Sequence, residues 1–254
     1  YSVDALSQFF KLAVAVGFTF VVINAVRQPS LEEDKRSDYF LFMGFSAWGL
    51  MLLSSAAELI TLYLALELSS YALYILIPIR ERSKGAAEAG AKYLLFGAAA
   101  TALSLYGLSH IIASQHTTYI AELAGKDWSF VGKPQAVLGL CHILCGMVYK
   151  LALFPFHFWC PDVYQGASNE TAAFIATLPK LGAVVILIRL ASLLEPGLEI
   201  TTLMAWLGLI PMTFGNLCAL VQKDVKRLLG FSSVAHAGYI MVGLVAGAAP
   251  GLAA

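Results

Sequence analysis

The sequence contains few charged residues. Asp, Glu, Lys and Arg make up 13% of its 254 residues, and the two signs cancel to a formal net charge of zero. A typical soluble domain has about 25% charged residues. The chain also lacks a basic run, so no nucleic-acid partner is expected. Its mean hydropathy of +0.76 indicates a membrane protein instead.

Motifs for several chemistries are missing as well. The sequence has no Walker loop, no dinucleotide-binding fingerprint in a strand context and no haem-attachment motif. Of its four cysteines, Cys141 and Cys145 are one helical turn apart, but no second Cys or His pair completes a zinc site. The cysteines are therefore interpreted as buried, small apolar residues. No cofactor and no metal are expected in this chain.

Long apolar stretches dominate what is present. Stretches of about 20 residues with one charge or none recur, and each can cross a hydrocarbon core as a helix. The sequence therefore predicts an all-α, polytopic membrane protein, with residues 1–254 forming a single membrane domain. It begins at Tyr1 without a start methionine, which suggests part of a longer protein. About eight spans are expected, at 6–26, 39–54, 58–79, 88–113, 134–161, 171–194, 200–222 and 228–248.

The span 134–161 is expected to contain a break. Lys150 lies near its middle, and Pro155 follows shortly after it. Proline has no N–H to donate inside a helix, and its ring clashes with the carbonyl one turn earlier. We therefore predict a broken helix around 150–157. Irregular backbone at that depth is stable only against protein or a water-filled space.

Three spans each carry one ionisable residue near the middle, namely Glu67, Lys150 and Lys180. A charge at the helix centre costs about 2.5–3.5 kcal/mol on insertion scales, so the three are expected to face inward, near one another and near water. A nearby carboxylate favours the charged form of a lysine, whereas burial disfavours it. Lysines under both influences can exchange protons near neutral pH, which predicts a proton relay.

The alternative for Lys150 is a structural lysine whose ammonium extends to the lipid headgroups. Lys150 lies about fifteen residues into its span, which is too deep for an easy escape. Around Glu67, the neighbouring helical positions place four residues on one hydroxyl-bearing face, namely Tyr63, Ser70, Tyr71 and Tyr74. Such a face is weak evidence alone, but beside a central carboxylate it predicts a hydrated path.

Four further residues are secondary relay candidates. Glu88 and Lys92 are one turn apart near a span start and form an ion pair of ordinary helix type, so structural and relay roles both remain open. His157 and His236 lie near apolar spans with polar neighbours. Histidine can carry protons at physiological pH, but either residue can equally be a core histidine bonded to the backbone.

Three motifs resemble a known family. The segment 150–167, which runs from Lys150 through Pro155 and His157 to Ala167, resembles the broken-helix signature of the antiporter-like proton-pumping subunits of respiratory complex I. The segment 62–70 looks like the helix that carries the essential glutamate of that family, and 216–239 is similar to its later signature. Within the family, 161–167 is most similar to the N subunits of NADH:quinone oxidoreductase.

The resemblance implies an inverted-repeat fold with a broken helix in each repeat. Residues 39–194 would form the first five-helix repeat, and 200–254 would begin the second. It further implies that Glu67, Lys150 and Lys180 form the central relay and that Glu88 and Lys92 form a second acid–base pair.

The implied function is a proton-translocating membrane subunit of complex I, coupled to quinone reduction elsewhere in the complex. The chain would be part of a translocase without having a redox site itself. NADH, FMN, iron–sulfur clusters and quinone would belong to other subunits, and the partners would be other membrane-arm subunits and the lipid bilayer. The alternative is a subunit of a multisubunit cation/proton antiporter or of a membrane-bound hydrogenase.

The distribution of basic residues predicts the orientation. The loops that follow the first, third and seventh spans contain most of the loop Lys and Arg, and such loops stay in the cytoplasm. Lys126 and Lys133 oppose this trend without reversing it. We therefore expect a bacterial inner membrane location, with the basic loops cytoplasmic and the Tyr1 end outside.

Overall fold

The computed structural model describes residues 1–27, 33–79, 84–193 and 198–246, and in these ranges the regular secondary structure is helical. Its extended structure there is limited to an isolated bridge between Glu58 and Tyr119. The all-α prediction is confirmed. The helices are α1 (Ala5–Val26), α2 (Arg36–Ser54), α3 (Leu59–Leu76), α4 (Lys84–Gln115), α5 (Ile120–Leu123), α6 (Pro134–Leu151), α7 (Trp159–Gly166), α8 (Asn169–Leu193), α9 (Leu198–Leu220) and α10 (Val225–Val245), with a 3₁₀ turn at Glu33–Lys35.

Eight of the described helices are long, which matches the expected number of spans. Six of them, α1, α3, α4, α6, α8 and α10, are long and apolar enough to cross a membrane by length and composition. The continuous apolar part of α9 within the described side chains is shorter, at Met204–Leu220. Helix α2 does not belong to the six, and it begins with the charged residues Arg36 and Asp38.

The predicted break in the fifth span is confirmed, but the helix ends before the proline. Helix α6 continues through Lys150 to Leu151, and Ala152 then adopts a left-handed conformation with φ 60°. The N–H of Leu153 donates to the carbonyl of Val148 at 2.9 Å, which satisfies an end carbonyl of α6. Pro155 lies within the irregular segment 152–158, so it prevents the helix from restarting rather than interrupting it directly.

Helix α8 is the centre of the core. Its residues Phe174 and Ile186 are fully buried, and α1, α2, α3, α6, α7 and α10 all pack against it. Pro179 does not interrupt this helix. Helix α1, in contrast, exposes Phe9, Leu12 and other large apolar residues on its outer face, which is the surface that a lipid-facing helix presents.

Charged contacts hold α1 against α8 at one end of the bundle. The carboxylate of Asp4 caps α1 by accepting from the N–H of Ser7 at 2.7 Å. The Arg189 guanidinium of α8 pairs with the same carboxylate at 3.0 Å and donates to the carbonyl of Ser54 at 2.8 Å. The Ser7 N–H, followed by the Arg189 guanidinium, lowers the pKa of Asp4 below its usual value against a smaller opposing effect of burial.

Helices α4 and α6 cross at two glycines. A Cβ added to Gly107 would meet the carbonyl oxygen of Gly139 and would lie 2.8 Å from the backbone nitrogen of Ile143. A Cβ added to Gly139 would lie 2.7 Å from the carbonyl oxygen of Gly107. Backbone atoms of both helices lie at this contact, so a side chain larger than glycine fits only if one helix moves away from the other. Small residues of this kind allow close packing of membrane helices.

We expect Gly107→Ala to destabilise the protein by about 1–3 kcal/mol, because the added methyl group forces α4 away from α6. Gly44→Ala in α2 is the matched control, since a Cβ at Gly44 would meet nothing within 4 Å. Thermal unfolding of the detergent-solubilised protein measures both changes. Equal melting temperatures for the two variants would contradict the close crossing.

Candidate functional site

The ammonium of Lys150 is surrounded by hydroxyl groups and aromatic rings. Lys150 lies in the last turn of α6 and is buried. Its Nζ donates to the Oγ of Ser70 on α3 at 2.6 Å and lies 3.5 Å from the hydroxyl of Tyr93 on α4. It also lies 5.7 Å and 5.8 Å from the ring centroids of Tyr93 and Tyr149, within cation–π range. Three helices therefore contribute to its environment.

Glu67 lies on the same helix as Ser70 and is equally buried. Its carboxylate accepts a hydrogen bond from the Oγ1 of Thr101 on α4 at 2.7 Å. Glu67 and Lys150 interact electrostatically. Within the described residues, however, no direct ion pair joins them; the nearest partner of each is a hydroxyl group. The acid and the ammonium thus each contact hydroxyl groups, which can both accept and donate a proton.

Lys180 has a separate environment. It is buried in α8, and its Nζ donates to the carbonyl of Ser233 on α10 at 3.3 Å and to the hydroxyl of the same residue. The Ser233 hydroxyl is in turn 3.1 Å from the hydroxyl of Tyr164 on α7. These partners leave Lys180 without a carboxylate neighbour in the described hydrogen bonds.

Helix α7 lies between the surroundings of the two lysines. At its start, Trp159 donates through Nε1 to the carbonyl of Tyr149 at 3.0 Å, next to Lys150. Towards its end, Tyr164 reaches Ser233, the partner of Lys180. One short helix thus contacts the surroundings of both Lys150 and Lys180, and the described contacts include none directly between the two lysines.

Glu88 and Lys92 belong to a larger cluster than the sequence suggested. Lys92 Nζ lies 2.7 Å from Glu88 and 2.6 Å from Asp162 of α7. Asp162 also pairs with Arg227 of α10 at 2.5 Å. These four residues line a cavity of about 620 Å³, which we call the charged cavity. It lies at the end of the bundle where α4, α8 and α10 begin.

Asp162 and Arg227 were missed as site residues, although both belong to recognisable motifs. Their partners are far away in sequence, and a single sequence contains no signal for a contact between residues 65 positions apart. A weaker signal was present: Asp162 directly follows a proline in an apolar setting, where an unpaired charge would be costly.

The sequence is similar to a known protein family. A family model described as NADH:quinone oxidoreductase/Mrp antiporter, TM, matches residues 56–254, which is more than half of the chain. The chain belongs to this family.

The individual relatives agree with this assignment. NADH-quinone oxidoreductase subunit N 2 of Solidesulfovibrio magneticus is 64% identical, over 100% of this chain and 54% of the relative. The protein of the same name from Opitutus terrae is 47% identical, over 97% of this chain and 52% of the relative. The chain thus spans about half the length of these curated relatives.

Two solved structures share the fold. A chain of respiratory complex I from Thermus thermophilus with bound aureothin matches with a TM-score of 0.84 and 37% identity, covering 98% of this chain and 53% of that one. A chain of a membrane-bound sulfane sulfur reductase, an archaeal respiratory membrane complex, matches with a TM-score of 0.86 at 23% identity, over 94% of this chain and 49% of that one. The expected antiporter-like fold is confirmed.

In this member of the antiporter family, the two candidate histidines differ in burial. His157 lies in the break between α6 and α7 and packs against Phe158 at 4.3 Å and Phe214 at 4.8 Å between ring centroids. Its buried Nδ1 has no hydrogen-bond partner within the described ranges. His236 is exposed and lines a second cavity, of about 640 Å³, together with Lys180 and Ser233.

The cysteines of this family member are less uniform than expected. Cys160 is fully buried, but Cys141, Cys145 and Cys218 are only partly buried. The interpretation of all four as buried residues was therefore wrong, because three of them lie on helix faces that are partly exposed. Across the described residues, no group of three or more His, Cys, Asp or Glu side chains could hold a metal ion.

Proposed function

We propose that this chain translocates protons across a bacterial inner membrane as part of a membrane subunit of NADH:quinone oxidoreductase. The observation that carries the proposal is the burial of Glu67, Lys150 and Lys180 in hydroxyl-lined surroundings on both sides of a broken helix. Charged groups at membrane depth are costly and are kept where function requires them. The names of the relatives, NADH-quinone oxidoreductase subunit N 2, support this choice of complex.

The proposed mechanism assigns exchange of protons to the two lysines. A protonated Lys150 can give a proton to the hydroxyl and water network that Ser70 and Tyr93 line, and it can be reprotonated from the side of Glu67. Lys180 exchanges protons through Ser233 and Tyr164. Two ammonium groups near each other in an apolar interior repel, so a proton arriving at one lysine favours departure from the other.

The charged cavity is the proposed entrance. Its Glu88 and Lys92 are the secondary acid–base pair, and Lys92 directly precedes Tyr93, whose hydroxyl faces Lys150. We assign this end to the cytoplasm because the basic residues Lys226 and Arg227, at the start of α10, line the cavity. The Tyr1 end is then outside. His157 and His236 are proposed as further carriers.

The rest of the assignment follows from the family. Residues 39–194 are proposed as the first five-helix repeat and 200–254 as the start of the second inverted repeat. Other membrane-arm subunits are the proposed partners. NADH, FMN, iron–sulfur clusters and quinone are proposed to bind to other subunits, so that this chain contributes to a translocase without a redox site of its own.

A second candidate is a subunit of a multisubunit cation/proton antiporter, which is favoured by the family description because it includes Mrp antiporters. A membrane-bound hydrogenase is a redox-linked variant. Purification of the native complex through a tag on this chain separates these candidates. Flavin and iron–sulfur subunits with NADH:quinone activity support the proposal, whereas a complex without redox subunits supports the antiporter.

We expect Lys150→Ala to abolish most proton pumping, because the variant removes the group that exchanges protons at the break. Removal of a buried charge also relieves a desolvation cost, so assembly should persist. The measurement is acidification of sealed vesicles that contain the assembled complex. Lys126→Ala is the control, since Lys126 is exposed in a loop. Pumping at the wild-type rate in Lys150→Ala would refute the relay.

Lys180→Arg tests whether Lys180 carries protons or only forms a structural contact. Arginine keeps the positive charge and can still donate to Ser233, but it does not release its proton in proteins. We therefore expect pumping to fall at least about tenfold in an assembled complex. Lys223→Arg, at an exposed position, is the charge-preserving control. Near-normal pumping by Lys180→Arg would assign Lys180 a structural role.

A further inference from the structure

Helix α7 is short, and the irregular segment 152–158 separates it from α6. An eight-residue helix is not stable alone, so its position depends on its neighbours. Its ends take part in the contacts near both lysines, through Trp159 and Tyr164. Whatever holds α7 in place therefore also determines the geometry around Lys150 and Lys180.

On one side, α7 packs closely against α4. A Cβ at Gly166 would lie 2.7 Å from the carbonyl oxygen of Gly85, so the two backbones are in contact there. One turn earlier on α7, the Oδ2 of Asp162 lies 2.6 Å from the Nζ of Lys92. The ion pair and the glycine contact together fix the distance between α7 and α4.

On the other side, α7 packs equally closely against α10. A Cβ at Gly230 would lie 2.8 Å from the Cα of Pro161. The thiol of Cys160 donates to the carbonyl of Gly230 at 3.5 Å, and the Oδ1 of Asp162 lies 2.5 Å from the Nη1 of Arg227. Each of the two carboxylate oxygens of Asp162 thus contacts a cation on a different neighbouring helix.

We propose that Asp162 is a positioning residue that holds α7 between α4 and α10 and thereby maintains the hydroxyl contacts of both lysines. It joins α4, in the first half of the chain, to α10, near its end, through a single side chain. Asp162 is 27% exposed at the charged cavity, so its carboxylate and its partners Lys92 and Arg227 are accessible to water there.

The thiol of Cys160 reports on this packing. Cys160 is fully buried between α7 and α10, two residues before Asp162. If α7 loosens from α10, this thiol becomes accessible to a small reagent such as N-ethylmaleimide. The assay uses the assembled complex in membranes, with Cys141, Cys145 and Cys218 of this chain replaced by serine so that Cys160 is its one thiol.

We expect Asp162→Asn to raise the rate of Cys160 alkylation by about tenfold, because the amide keeps the size of the side chain but loses its pairing with both cations. Asp162→Glu retains the charge and should remain within about twofold of the unchanged chain. Asp127→Asn removes a carboxylate from an exposed loop and is the control for a change in net charge. An unchanged rate in Asp162→Asn would overturn the proposal.

A parallel background that retains Cys145 instead of Cys160 distinguishes local loosening from general unfolding. Cys145 lies on α6, away from α7, so its alkylation rate should not change in Asp162→Asn. An equal rise at both thiols would mean global destabilisation and would also overturn the proposal.

Only the effect of Asp162 on proton pumping rests on the proposed function. If that function is correct, Asp162→Asn should lower the number of protons pumped per electron pair, and Asp162→Glu should restore it. The two hypotheses fail separately. If Lys150→Ala pumps normally while Asp162→Asn exposes Cys160, the proton relay is wrong and the positioning role stands. If Lys150→Ala abolishes pumping while Cys160 stays protected in Asp162→Asn, the positioning role is wrong.

Discussion

The structure depends on satisfying a lysine ammonium at membrane depth. Lys150 is buried, and a buried, unpaired charge would cost several kcal/mol. The solution is a convergence of three helices, in which Ser70, Tyr93 and Tyr149 surround the ammonium. That convergence requires α6 to end beside α3 and α4. The end of α6 and the packing of Tyr93 and Tyr149 both belong to this convergence.

The break in the fifth span is therefore part of the site and not an irregularity beside it. The irregular segment 152–158 separates α7 from α6, and Trp159 donates back to the carbonyl of Tyr149 while Tyr164 contacts Ser233 of α10. A continuous helix would present only one of these faces to the interior. One short helix thus connects the surroundings of two lysines that do not touch.

Much of this could be predicted from the sequence, because single charges in apolar spans and a proline beside one of them have few physical explanations. The end of α6 was predicted less well: Pro155 signals a break, but the left-handed turn at Ala152 that ends the helix depends on tertiary packing. The pairing of Asp162 with Lys92 and Arg227 could not be predicted, since it joins residues distant in sequence. Hydrophobic periodicity contains information about depth and burial, whereas the choice of partner depends on how the helices are arranged.

The cations at the charged cavity and the two buried lysines differ in the type of partner they have, and the proposed proton exchange depends on this difference. At the charged cavity, Lys92 and Arg227 form ion pairs with the carboxylate of Asp162. In the interior, Lys150 and Lys180 contact serine hydroxyls instead. A hydroxyl accepts a hydrogen bond from an ammonium and can donate one to a neutral amine, so either form of the lysine stays satisfied after a proton leaves. In the proposed mechanism, ion pairs position the helices at the end of the bundle, while the hydroxyl partners of Lys150 and Lys180 allow these lysines to change their protonation.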